Sequence, residues 1–218
     1  MRILPRTRRG WLIVIAAVAV VLLTAVAWFV GVPWLRYRDY EPQEGDIVFQ
    51  SFPKFDLVFA IEGITGSPYS HCGVVVREDG SWYVLEAVDK VRKTPLFAWV
   101  MRGRGGGKFA VFRLRPGARE HIPRFLDELK TFLGRPYDFH YRLDDEPVYC
   151  SEVPWRAWKS ATGGELGELK TLGEMNWKPY ESTIRRWEQG ELPLDRKMIT
   201  PRHLSEAPEL EKVFGGDF

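Results

Sequence analysis

The chain has 218 residues, 31 Lys and Arg against 29 Asp and Glu for a net charge of +2, and only two cysteines. That length allows one globular domain with a proper core. The near-neutral charge argues against a nucleic-acid partner, which calls for a basic face, and two cysteines exclude a disulfide scaffold.

The first 35 residues contain Arg2, Arg6, Arg8 and Arg9 and no acid, followed by an apolar run from Trp11 to Val30 broken only by Thr24. About 20 such residues at ~1.5 Å each span a hydrocarbon core. The leading arginines set the expected topology: a single pass, N-terminus cytoplasmic, remainder exported. A cleavable signal peptide is the rival, with Ala25-Val26-Ala27 as a small-residue cleavage site. The anchor is preferred because apolar residues continue to Trp34 and Leu35, and Trp28 and Trp34 suit the outer interface. Residues 1–35 are therefore the basic segment and anchor, 36–44 a linker, and 45–218 the exported domain, whose charge is near −2.

"GDIVFQ" (45–50) alternates like a strand after a turn pair. Phe55, Val58, Phe59 and Ile61 fall at helical spacing within 52–64, closed by "TGSPY". "HCGVVV" (71–76) and "SWYVLEAV" (81–88) form a hairpin across "REDG", and "KFAVFRLRP" (108–116) is the next strand. Between Ala118 and Leu133 the residues Ile122, Phe125, Leu126, Leu129 and Phe132 share one helical face, stopped by Gly134. A second helix starts at or just after Cys150, with Ser151 able to cap, Glu152 suited to a first turn, and Pro154 tolerated only there. Beyond Ser160 no periodicity emerges, and a long loop is expected. The order predicts an α+β fold with a small antiparallel sheet packed against helices.

A thiol at a helix N-terminus is favoured as thiolate, which makes Cys150 a candidate nucleophile, although a small buried hydrophobe is the commoner fate of a lone cysteine. Of four histidines, His71 is the best placed, opening a strand after a turn. His121 reads as a surface residue on a charged helix start, and His140 and His203 fall in loops. Glu86 interrupts an apolar strand and is the candidate to orient His71. Counting out from "REDG" sets Glu86 nearer Val74 than His71, so twist or a bulge must close the gap.

"GDIVFQ", "SHCGVVV", "VLEAV", "LGRPYD" and "YCSE", in this order, resemble the permuted NlpC-type papain-like amidases of the YaeF/YiiX group. In these the histidine and acid precede the cysteine. The resemblance implies Cys150 as nucleophile, His71 as general base and acid, and Glu86 as its orienter, on a permuted papain-like fold with no cofactor or metal. It sets Tyr149 and Tyr137 near the substrate. It also implies acyl transfer to water through a thioester, on a cell-envelope peptide, amino-acyl amide or lipid. Cys72 departs from the family pattern; alternation along a strand turns it away from His71 and from a bridge to Cys150, leaving it a buried small residue. Two other readings compete: a lipid acyltransferase or thioesterase of the lecithin:retinol acyltransferase type, with Trp155, Trp158, Trp177 and Trp187 lining an acyl groove, and an inactive envelope binding module. A zinc site from His71, Cys72, Cys150 and His140 is disfavoured, since adjacent strand residues point apart.

Overall fold

The computed structural model describes residues 7–53, 55–143 and 146–216; Arg2 and Arg6 lie outside them. Helix α1 (Arg8–Tyr37) is 30 residues long, none of its most apolar window is buried, and its mean hydropathy there is 2.9. It is long and apolar enough to cross a membrane. Pro33 cannot donate a helical hydrogen bond, and the helix widens to a π-turn at Ala27–Gly31 just before it.

Residues 36–44 are not the free linker their polarity predicts. Tyr37 ends α1 with its ring 5.4 Å from that of Phe97. Tyr40 is buried and its hydroxyl donates to Asp46 at 2.7 Å. Asp46 also receives the Arg113 guanidinium at 2.7 Å, so its buried carboxylate is paired.

Six strands follow: β1 (Ile47–Gln50), β2 (His71–Glu78), β3 (Ser81–Ala87), β4 (Val91–Pro95), β5 (Phe109–Leu114) and, far along the chain, β8 (Leu210–Phe214). They form one antiparallel sheet in the order β4-β3-β2-β1-β5-β8. A short ribbon, β6 (Lys170–Thr171) with β7 (Lys197–Met198), stands apart. The expected small sheet is thus larger, with β4 and β8 added at its two edges.

Both faces are covered. One presents Ile47, Phe49, Cys72, Val74 and Leu85 to α4 (Ile122–Lys130) and α5 (Glu152–Thr162). The other presents Val48, Val75, Val84 and Val111 to Tyr40 and to Leu96, Trp99 and Val100 of α3 (Leu96–Arg102). Burying each such large side chain contributes about 1.5–3 kcal/mol. Helix α2 (Asp56–Thr65) ends at Gly66, whose φ of 62° is the left-handed stop that glycine tolerates best. The region after Ser160 is not a bare loop: it holds β6, β7, β8, α6 (Glu181–Trp187) and α7 (Pro201–Ser205).

Candidate active site

His71 is the first residue of β2, opposite Gln50 at the end of β1. Cys150 sits in a turn two residues ahead of α5. That turn is fastened at several points. The Tyr149 carbonyl accepts from the Glu152 and Val153 N–H groups at 3.1 and 3.3 Å. The Glu152 carboxylate accepts from the Tyr149 N–H at 3.2 Å, and the Ser151 hydroxyl donates to the Ile199 carbonyl at 2.8 Å. The Ile199 N–H in turn donates to the Tyr149 hydroxyl at 3.0 Å.

Glu86 is fully buried and paired with His71 Nε2 at 2.6 Å. It also accepts from the Thr94 hydroxyl at 2.6 Å and from Arg102 at 2.6 and 2.7 Å. The two residues are not opposite each other in the ladder: Val74 pairs with Leu85, so His71 lies beyond the place where Glu86 projects onto β2. Gly73 resolves the register. It shares the His71 face, and a Cβ there would meet Val84 at 2.4 Å and the Glu86 Cβ at 3.2 Å. Its bare backbone leaves the space across which the His71 ring leans to the carboxylate.

With Nε2 taken by Glu86, Nδ1 is the ring nitrogen left for Cys150, whose hydrogen bonding to His71 helps to raise the imidazole pKa. Burial works against a charged imidazole, yet Cys150 and then Glu86 outweigh it and raise the His71 pKa. Glu86 is likewise penalised by burial, but His71 and Arg102 hold its carboxyl down at about 2. The Cys150 thiol is held well below its usual range, first by a hydrogen bond from Cys72, against burial, and then by His71. Phe52 stacks on the His71 ring at 4.2 Å and has the Arg102 guanidinium 5.2 Å from its own ring, which limits rotation of the imidazole.

The structure therefore brings Cys150, His71 and Glu86 together. It corrects the placement of Cys72: the side chain is buried as expected but lies in the same buried cluster as Cys150, and the two thiols influence each other's pKa. Both thiols are free. Tyr137 packs edge-on against Tyr141 with ring centroids 6.5 Å apart, and its pKa is pushed well up by burial, with Tyr141 and Cys150 adding to the rise. Tyr149 spends its hydroxyl on Ile199. Neither of them lines the pocket that opens beside Cys150; Tyr141 does. His140 lies on the pocket wall 3.4 Å from Glu188, His203 bonds Thr200, and His121 packs on Trp158, so none joins His71.

That pocket is walled by Leu57, Ala60, Ile61 and Ile64 of α2 together with Ile184 and Trp187 of α6. Of the four tryptophans expected there, only Trp187 lines it. Trp155 and Trp158, on α5 itself, are buried in the core, and Trp177 does not line the pocket. Sequence reasoning missed Arg102, Thr94, Phe52 and Tyr141. Gly73, alone in a β-branched run, was the one available signal.

Residues 41–214 match the family of permuted papain-like amidase enzymes, YaeF/YiiX, C92. The chain belongs to that family. It is 34% identical over 177 residues to the uncharacterized protein YiiX of Escherichia coli (strain K12), covering 80% of this chain and 87% of that one. The fold is similar to a crystal structure of YiiX from Escherichia coli O157:H7, with a TM-score of 0.76 and 33% identity over 82% of this chain and 100% of that one. That relative is described as a metalloprotein. Among the described residues here, no three His, Cys, Asp or Glu side chains are arranged to hold a metal ion, so no step is assigned to one.

Proposed function

We propose that this family member is a membrane-anchored cysteine hydrolase that cleaves an amide through Cys150, His71 and Glu86. The observation that carries the reading is the buried hydrogen-bonded series Glu86–His71–Cys150, in which the acid is held ionised, the imidazole pKa is raised and the thiol pKa is lowered. A thiolate beside an imidazolium is the reactive form for acyl transfer. Cys150 Sγ attacks the carbonyl, and the C–N electron pair leaves with the proton from His71. Water then adds to the thioester, giving its proton to His71, and Cys150 departs as thiolate. Glu86 keeps the ring oriented and its charge balanced, and the Cys150 N–H at the head of α5 is the natural oxyanion donor.

One observation favours a lipid over a peptide as the acyl partner: α2 and α6 offer aliphatic and indole surface beside Cys150. The experiment is direct. An electrophilic amide probe should label the full chain in detergent at Cys150 alone, and Cys150→Ala should abolish labelling. Hydrolysis of envelope peptides set against long-acyl amides and phospholipids then identifies the substrate class. Equal labelling of Cys150→Ala would refute the assignment of the nucleophile.

A further inference from the structure

The helix that can span a membrane is not tethered to the domain by a loose linker but seated in it, and this fixes which edge of the domain meets the lipid. If the hydrocarbon layer begins at Trp11, about 20 residues at ~1.5 Å each carry the helix through its ~30 Å to the neighbourhood of Val30. Seating begins within one turn of that point. A Cβ on Gly106 would lie 3.0 Å from Val32, and one on Gly107 2.9 Å from Pro33. Arg36 donates to the Gly106 carbonyl at 2.8 Å.

The loop that cups the helix is one turn from the candidate site. The Gly107 N–H donates to the Gly103 carbonyl at 3.0 Å, and the Arg104 N–H to the Ser51 carbonyl at 2.8 Å. A Cβ on Gly103 would meet the side chain of Gln50, the β1 partner of His71, at 2.6 Å. Arg102, just before this loop, holds Glu86. The same loop orients α2: Arg104 pairs with Glu62 at 3.0 Å. Phe59 and Glu62 are three residues apart and share one face of α2, and Phe55 stands immediately before its first turn. Phe55 and Phe59 are 50% and 44% exposed. The residues Leu57, Ala60, Ile61 and Ile64 line the apolar pocket beside Cys150.

We propose that the edge of the domain carrying His71 rests on the bilayer, with Phe55 and Phe59 set into the interfacial layer and α2 forming the partition between lipid and pocket. Aromatic rings are stabilised at headgroup depth, and the seated helix leaves the domain little freedom to turn this edge away. The inference rests on reading α1 as a membrane span and not on the amide chemistry.

The test uses the full chain in nanodiscs of phosphatidylethanolamine and phosphatidylglycerol, with p-benzoylphenylalanine replacing Phe55 in one protein and Asp79 in another. Asp79 lies in the turn at the far end of β2, about 25 Å away at ~3.3 Å per residue. On irradiation, position 55 should cross-link phospholipid several-fold more than position 79. Equal yields, or capture of protein in place of lipid at position 55, overturn the proposal. Extraction of vesicles with alkaline carbonate separates the two layers: release shows that α1 does not span and sinks both readings. Retention without the cross-link at position 55 sinks the orientation alone. Turnover plays no part in either readout.

Discussion

Cys72 and Cys150 are buried in one apolar cluster, and Cys72 is the largest influence lowering the Cys150 pKa. Because burial raises the pKa of Cys72 itself, that residue stays protonated and acts as a donor to its neighbour. Cys72→Ala removes the donor. The pH midpoint for alkylation of Cys150 by iodoacetamide, followed by mass spectrometry, should rise relative to wild type. An unmoved midpoint would mean that His71 alone holds the thiolate.

The same pair sets a pH window for turnover. As pH falls through the lowered Cys150 pKa the thiolate is lost; as it rises through the raised His71 pKa the imidazolium that protonates the leaving group is lost. The rate should be bell-shaped. Its acid limb should lie below the range of an ordinary thiol, and its alkaline limb above the 6.5 of an ordinary histidine. A single rise tracking a free thiol would contradict the ion pair.

Glu86→Gln keeps shape but loses charge. Turnover should fall by about 100-fold or more, the range seen when proton-transfer machinery is disturbed. Stability should also change with pH in a defined sense. The folded Glu86 pKa of about 2 lies below its ordinary 4.5, so its contribution is full above 4.5 and is lost as pH falls from there toward 2. Urea melts of the variant should show a shallower decline across that interval. Equal slopes would place the acid-sensitive group elsewhere.

Gly73→Ala tests the space over which His71 reaches its acid. The new methyl would sit 2.4 Å from Val84 and 2.8 Å from the Leu85 carbonyl, so β3 must shift. Overpacking of this kind costs about 1–3 kcal/mol. A lower melting temperature together with a loss of turnover greater than unfolding explains is expected. Wild-type turnover would show that the His71–Glu86 distance tolerates the shift.

Ile61→Trp narrows the α2 wall of the pocket. Hydrolysis of long-acyl amides should fall much more than that of short ones, read as kcat/KM for each chain length. An equal effect on both would argue that the acyl group lies elsewhere.

The strands that built the site were legible where pattern was dense. β1, β2, β3 and β5 are apolar runs with turn residues between them, and the chain order of His71, Glu86 and Cys150 carries the family resemblance. β4 was not, because "VRKTP" carries two charges and a proline, and with it went α3 and Arg102. β8 reads "LEKVF", a sheet-edge strand whose charged residues face water and dilute the signal. Helices α6 and α7 have seven and five residues, too few for a period to show. The nearness of Cys72 to Cys150 escaped alternation because the pattern tells which face of β2 a residue takes and not which face the Cys150 turn packs on; Cys150 is buried in the cluster on the Cys72 face.

The fastening of the Cys150 turn by Ile199 bears on when the protein becomes able to react. Nearly fifty residues separate the nucleophile from the backbone groups that clamp it, and β5 gains its outer neighbour only when residues 210–214 have been synthesised. A nascent chain that has emerged only as far as Cys150 holds its thiol without this support, so a competent centre is assembled only after Ile199 has followed it.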